Sequence, residues 1–491
     1  MNSRSFLSNN FFDTNYYSKK EIIEITEYFI RSAQLLFKIE QKNKDLDIFT
    51  YDILNDLGIV QKDLDKFINI VGENLFEELI STLNVLKEIN YLNCDEINKY
   101  FWKYRNQKSK VKKNDYTFID LFCGAGGMSY GLSLAGFTPI LSNDIDKDAL
   151  RTYLFNHPEM SGNSVYHGDV AEVLNLLKDE KFKNIDAIIG GPPCQGFSNA
   201  NRQRIIDDPR NILYKYFVES LAIIRPKFFI MENVRGMKSV AEQVVQDINA
   251  KCDNQYEISY KILNAIDFEV PQNRQRLIFI GIRNDIIKNK SVDRLFEKIE
   301  ESKLRNKYTL RDAIYDLKPL EASRIRNNTK GDKISGFPIE KNLAEFSNPY
   351  VKKLNNKESL LTLNHKARFN NDRDIEIYSK MEQGDDSSSP RISDIMPYKS
   401  RANIFKDKYY KLIYDKPCKT ITAHMKFDCN MYIHPEQARG LTPREAARIQ
   451  SYPDDYLFLG AFTKTYQQIG NSVPPFMSKY ISDTIKLFIK R

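Results

Sequence analysis

Thr117-Phe-Ile-Asp-Leu-Phe122 is a short apolar run, and Gly124-Ala-Gly-Gly127 follows it ahead of a second apolar stretch that starts near Met128. A strand that must turn into a helix within a few residues needs backbone conformations that glycine adopts without strain. The order therefore predicts the first strand, turn and helix of a Rossmann-like α/β sheet. A second strand, Pro139–Ser142, is expected to end at Asn143-Asp144, about 20 residues after the glycines, where an acid can hold ribose hydroxyls. A nicotinamide-dependent dehydrogenase would open in nearly the same way, and so would a tight turn with no ligand. The glycine pattern is Gly-x-Gly-Gly rather than Gly-x-Gly-x-x-Gly, so it lacks the full fingerprint for a pyrophosphate.

Ile185-Asp-Ala-Ile-Ile189 is another buried-strand signal, and it stops at Gly190-Gly191 before Pro192-Pro193-Cys194-Gln195. Ligands of open α/β sheets bind in the loops beyond the carboxyl ends of the strands, which puts Cys194 where a reactive group is expected. The two prolines fix φ at successive positions and hold the thiol in one direction. A lone cysteine would read as core; a Pro-Pro-Cys-Gln run directly behind a strand is far more specific. After a helix at about Ile212–Ile224, the strand Phe228–Met231 ends in Glu232-Asn233, bringing a carboxylate to a second strand end. Ile258–Ile266 and Arg276–Ile282 predict a closing antiparallel pair. Arg274 and Arg276 are expected to enter on its second strand and, being two apart, to share a face.

Composition narrows the chemistry open to Cys194. Six cysteines in 491 residues, with no Cys-x-x-Cys pair and no cysteine–histidine cluster, argue against a disulfide framework and against a metal site, and point to the reduced cytoplasm. No apolar run approaches the ~18 residues of a membrane span, and the first residues lack the apolar core of a signal peptide. A net charge of +8 permits a polyanionic partner without requiring one. The length predicts two or three domains.

Six motifs occur in a fixed order between Tyr116 and Arg491. They are Asp120-Leu-Phe-Cys-Gly-Ala-Gly-Gly127, Pro192-Pro-Cys-Gln195, Met231-Glu-Asn-Val234, Pro271-Gln-Asn-Arg-Gln-Arg276, Arg444-Glu-Ala-Ala-Arg-Ile-Gln450 and Gly470-Asn-Ser-Val-Pro-Pro475. Together they resemble the motif series of the DNA cytosine-5 methyltransferases of bacterial restriction–modification systems. The resemblance implies an S-adenosylmethionine-dependent methyltransferase fold of the Rossmann-like type, a mostly parallel twisted sheet flanked by helices. It also implies a smaller, irregular target-recognition domain. Under it, Cys194 adds to a cytosine flipped out of duplex DNA, Glu232 assists at the ring, Arg276 holds the cytosine carbonyl oxygen, and Arg274 supports Arg276 or a phosphate.

By the same resemblance the S-adenosylmethionine pocket is lined by Phe118, the turn with Gly124, Gly126 and Gly127, Asp144, Ile145, Asp169, Val170, Pro193, Leu213, Asn471 and Val473. Ile145 stands where many relatives carry an aromatic beside the adenine. The stretch Gln195–Asp208, with Ser198, Asn201, Arg202 and Arg204, suits a mobile flap that closes over DNA phosphates. The expected divisions are a helical N-terminal extension (1–113), the first part of a catalytic domain (114–284), a target-recognition domain (285–464) and a return to the catalytic domain (465–491). Basic residues such as Lys352 and Lys353, dotted among aromatics, make the third division the expected DNA reader. In the extension, Ser18-Lys-Lys-Glu21 has the form of a capping box before a long amphipathic helix. Asp52–Leu83, broken at Gly58, reads as a helical packing layer or, less simply, a helix-turn-helix.

Expected partners are double-stranded DNA and a cognate restriction endonuclease, with the protein itself a monomer. One rival is a tRNA cytosine-5 methyltransferase, which predicts a short variable region where about 150 residues are available here. The other is a catalytically silent DNA-binding relative, which the intact Cys194, Glu232, Arg274 and Arg276 oppose.

Overall fold

The computed structural model describes residues 18–37, 44, 54, 64–88, 116–157, 160, 164–193, 213–287, 291–301, 306–326, 331–341, 348–355, 361–397 and 408–489. Cys194 and the expected flap residues Ser198, Asn201, Arg202 and Arg204 lie outside the described residues, as do Gly58 and the linker 108–113.

At the N-terminal end are α1 (Lys19–Phe37), α2 (Leu64–Val71) and α3 (Glu73–Glu88), with α2 and α3 separated by Gly72 at φ 86°. The sheet then begins with β1 (Tyr116–Leu121), α4 (Gly127–Leu134), β2 (Phe137–Asp144), α5 (Lys147–Asn156), β3 (Val165–His167) and α6 (Val170–Leu176). It continues through β4 (Ala187–Gly190), α7 (Leu213–Ile224), β5 (Phe228–Val234), α8 (Ala241–Lys251), β6 (Tyr256–Asn264), the two-residue β7 (Gln272–Asn273) and β8 (Gln275–Arg283). The seven longer strands form one sheet in the order β3-β2-β1-β4-β5-β8-β6. Neighbours are parallel from β3 to β5, and β8 runs antiparallel to both β5 and β6. This is the mostly parallel, helix-flanked sheet that the sequence predicts. Its central strands β4 and β5 are buried nearly throughout, as a sheet covered on both faces requires. β1 lies between β2 and β4, so the strand order reverses there and a crevice opens at the carboxyl ends.

α9 (Val292–Glu300) buries Val292, Leu295, Phe296 and Ile299, one helical stripe, in the same core as β8. The boundary expected at residue 285 therefore falls inside the layer that covers the sheet, and the irregular region begins after α9. That region carries little sheet: β9 (Ile339–Lys341) pairs with β10 (Leu361–Leu363), and β11 (Cys418–Lys419) pairs with β7. Chain without ladders must satisfy its carbonyls by other means, and buried cations do so here. The Lys411 ammonium donates to the carbonyls of Tyr378 and Met381, both at 2.9 Å.

α10 (Pro443–Ile449) starts with a capping box between Thr442 and Glu445. Its Arg444 and Arg448 are completely or almost completely buried, as is Arg439 just before it. Arg444 donates to the carbonyls of Leu363, Pro453 and Tyr456; Arg448 grips Asp454 and Asp316. α11 (Phe462–Asn471) and α12 (Pro475–Ile485) close the chain, with Ser478 on α12 donating to the carbonyl of Met128 on α4 at 3.2 Å. The N-terminal helices do not stand apart: Ile22, Ile30, Phe67, Leu79 and Leu83 share an apolar cluster with Ile339, Leu361 and Leu363 of β9 and β10 and with Leu457 and Leu459. No described helix is long and apolar enough to cross a membrane.

Candidate active site

A cleft of about 510 Å³ lies beyond the carboxyl ends of β1, β2, β4 and β5. Its floor is the turn after β1. Gly126 takes φ 86° just before α4, a conformation that side chains rarely allow. Gly127 is required by contact: a Cβ there would stand 2.2 Å from Ser472 Oγ and 2.5 Å from the carbonyl of Val473. The glycine turn and the Gly470–Val473 segment, far apart in the chain, are thus pressed together to make one wall.

Asp144 at the end of β2 ties the turn to the next loop. Its Oδ2 accepts from the Gly124 N–H and its Oδ1 from the Asp146 N–H, each at 2.8 Å. Each oxygen keeps a second lone pair for a ligand hydroxyl. Burial raises this carboxyl above the usual range, partly offset by those two hydrogen bonds. Beside it Ile145 is 72% exposed at the rim, an apolar face with no protein cover.

The opposite wall comes from β4 and β5. After Gly190 the chain passes through Gly191, Pro192 and Pro193, all on the cleft wall. A Cβ on Gly191 would be 3.0 Å from Glu232 Oε2, so a glycine there lets the turn run close against that carboxylate. The next residue of β5, Asn233, donates to the carbonyl of Pro192 at 2.9 Å and pins the turn. Arg276 on β8 lies opposite Val234, and its Nε pairs with Glu232 Oε1 at 2.7 Å. Both members of this pair line the cleft, next to the turn that leads into Cys194.

Of the remaining expected residues, Pro193, Asn471 and Val473 are on the wall. Others are not. Phe118 points into the core at 0% exposure, and the aromatic that lines the cleft is Phe122, one residue past β1 with φ 61°. The expected strand ran through Phe122, and the available signal was its place directly before Cys123 and the glycine turn, where the chain must leave the sheet. Gly126 packs instead against Tyr153, His157 and Tyr456. Asp169 is the N-cap of α6, accepting from the Ala171 N–H, while Val170 is buried in the core and Leu213 packs against it. None of these last three lines the cleft.

Arg274 also departs from expectation. It lies between β7 and β8 rather than on the strand, so it does not share a face with Arg276. Its guanidinium, wholly buried, donates to the carbonyls of Ile421 at 2.7 Å and Gly470 at 3.1 Å. It fastens the irregular region to the cleft wall from behind.

Asp120 and Gln468 are among the further cleft residues that went unforeseen. Asp120 lies on the floor, where burial, and to a smaller extent Asp144, push its carboxyl up to about 8 while a short hydrogen bond from Ser129 opposes that rise. Gln468 reaches the wall from α11 and accepts from Thr152 at 2.8 Å. The four described cysteines are all buried, and burial raises every one of their thiols, Cys252 to about 11 and Cys418 to about 12. None of these four is a ready thiolate at neutral pH.

Compared with known proteins, residues 116–487 match the family described as C-5 cytosine-specific DNA methylase. The chain is 35% identical over 397 residues to the type II methyltransferase M.DdeI of Desulfomicrobium norvegicum, covering 76% of this chain and 89% of that one. It is 33% identical over 399 residues to M1.HphI of Haemophilus parahaemolyticus, covering 79% and 92%. M.Sau96I of Staphylococcus aureus, 27% identical, aligns with 92% of this chain, a share that cannot be reached without residues before Tyr116. Among solved structures, a prophage-encoded protein of Escherichia coli described as a DNA modification methyltransferase superposes with a TM-score of 0.59 at 25% identity, covering 76% of this chain and 99% of that one.

Proposed function

Because this chain belongs to the C-5 cytosine-specific DNA methylase family and is a DNA (cytosine-5) methyltransferase of the restriction–modification kind, we propose that it methylates carbon 5 of a cytosine flipped from duplex DNA, through a covalent bond to Cys194. The observation that carries this reading is one wall of the cleft, where the Gly191-Pro192-Pro193 turn leading to Cys194 lies against the Glu232–Arg276 pair.

The cleft fits S-adenosylmethionine by its own features. Gly124 and Gly127 add no side chain of their own to the floor, Asp144 keeps lone pairs that can accept from hydroxyls, and Ile145 and Phe122 offer apolar faces. These residues, with Asn471 and Val473, would hold the cofactor, which when bound supplies an electrophilic methyl group.

Carbon 5 of cytosine is a poor nucleophile. The Cys194 thiolate adds to carbon 6, and the electron pair of the 5,6 double bond shifts so that carbon 5 can bond to the methyl carbon, whose bond to the cofactor sulfur would break with its electron pair left on that sulfur. The carbon 5 proton then passes to solvent water, its bonding pair re-forms the 5,6 double bond, and the sulfur–carbon bond breaks with its pair returning to Cys194 as the thiolate. Electron density that builds on ring nitrogen 3 during addition is met by a proton from the Glu232 carboxyl, which Arg276 orients, and nitrogen 3 returns that proton when the ring is restored. The basic residues 202 and 204 would contact phosphate. A restriction endonuclease that cuts the same sequence is the natural partner.

The test is to map methylated cytosines in DNA from cells expressing the wild type or Cys194→Ser. Wild type should methylate one recurrent sequence and the variant none, since an alcohol is too weakly acidic to add to the ring unaided. Near-normal methylation by the serine variant would remove Cys194 from the mechanism.

A further inference from the structure

Tyr456-Leu-Phe-Leu459 connects α10 to α11 and alternates like a strand, although it belongs to no sheet. Tyr456 and Phe458 face the core beneath the glycine turn, whereas Leu457 and Leu459 face the cluster that holds Ile22, Ile30, Leu79 and Leu83 of the N-terminal helices. Side chains from several parts of the molecule clamp its backbone. Arg444 donates to the Tyr456 carbonyl. Asn156 of α5 accepts from the Leu457 N–H at 3.0 Å and donates to its carbonyl at 2.8 Å. Asn364, just past β10, does the same for Phe458 at 2.9 and 3.0 Å. Gln468, itself on the cleft wall, donates to the Leu459 carbonyl at 3.0 Å.

At the head of this tract the Tyr456 hydroxyl donates to the carbonyl of Ala125, in the middle of the Gly124–Gly127 turn. The residue is completely buried, and a Cβ on Gly126 would stand 3.0 Å from that hydroxyl. Burial, with Tyr452, Tyr153 and Tyr130 around it, holds the phenol far above its ordinary range, so it stays a donor. Ala125 lines the cleft with Gly124 and Gly127. A ring placed there only to fill space would have no need of this hydrogen bond.

We propose that Tyr456 is a positioning residue for the cofactor turn, and that the tract it heads carries the packing of the N-terminal helices and of β10 to the cofactor site. This assigns the N-terminal extension a role: it backs the other face of the strip that sets the turn. The assignment rests on the reading of the cleft as the S-adenosylmethionine site.

The test uses the full chain with S-adenosylhomocysteine in calorimetry and S-adenosylmethionine in steady-state kinetics. Tyr456→Phe keeps the ring and leaves the Ala125 carbonyl without its donor. It should raise the cofactor Kd and KM roughly tenfold, with kcat at saturating cofactor and the KM for DNA nearly unchanged. Leu457→Ala, on the face toward the N-terminal helices, should weaken cofactor binding in the same direction by a smaller factor. If the wild type binds no cofactor, the reading of the cleft fails. If the wild type binds and Tyr456→Phe binds equally well, or if Tyr456→Phe lowers kcat, DNA affinity and thermal midpoint together, the positioning role is overturned. An unchanged Kd in Leu457→Ala overturns the link to the N-terminal helices.

Discussion

Asp120 has a wholly buried carboxyl on the floor of the cleft, beside Asp144. Its folded pKa of about 8 lies well above the ordinary 3.8, so the folded state holds a proton that the unfolded state has released. Stability from this group is full below pH ~4 and is lost as pH rises through about 8. The thermal midpoint should therefore fall from about pH 4 to about pH 8 and level off above that, and Asp120→Asn, which cannot ionise, should flatten that fall; parallel slopes in melts of the two proteins would contradict the assignment. At the same scale, the displacement of Phe118 by Phe122 has a simple cause. Phe118 sits mid-strand with its ring in the core, whereas the cleft lies beyond the carboxyl end of β1, so it is Asp120 near that end and Phe122 just past it that reach the cleft.

Among the elements, α10 shows why an irregular region keeps a fixed shape. Glu445 closes the capping box and accepts two hydrogen bonds from Arg439, at 2.7 and 2.8 Å, with both residues buried. That guanidinium, first among the charges around it, holds the Glu445 carboxyl far below the usual range against the opposing effect of burial. Stability from this pair is present above the unfolded carboxylate pKa and is lost as pH falls below it. Glu445→Ala leaves the Arg439 charge buried without its carboxylate and should cost about 3 to 5 kcal/mol in urea unfolding. A loss below about 1 kcal/mol would show that water or a rearranged neighbour satisfies the arginine. The helix itself was readable from Thr442-Pro-Arg-Glu445, a cap and its reciprocal partner. That its arginines are interior was not, because lone arginines usually lie at the surface.

The whole molecule is built so that no layer is independent. One core runs from β1 and β8 through α9 to Tyr350, Tyr432 and α12, and a second joins the N-terminal helices to β9, β10 and Leu459. Ile30 in α1, 3% exposed, belongs to that second cluster. Ile30→Ala should cost about 2 to 5 kcal/mol in denaturant unfolding, in one transition rather than two. A separate early transition would mean that the N-terminal helices fold as their own unit.

By itself the sequence determined the succession of strands along the first half of the sheet and the family to which the chain belongs. Short apolar runs that end in Gly-x-Gly-Gly, Pro-Pro-Cys-Gln or Glu-Asn mark strand ends by local backbone demands, and local demands are written in adjacent residues. The tertiary structure alone decided which side chains reach the cleft and which hold it from behind. Arg274 and Arg276 differ by two positions, yet one is bonded to carbonyls at Ile421 and Gly470 and the other to Glu232. Gly127 needs to be glycine because of Ser472, and Tyr456 meets Ala125 across 331 residues. Such contacts depend on where distant segments pack, and no pattern of neighbours in the chain encodes that distance.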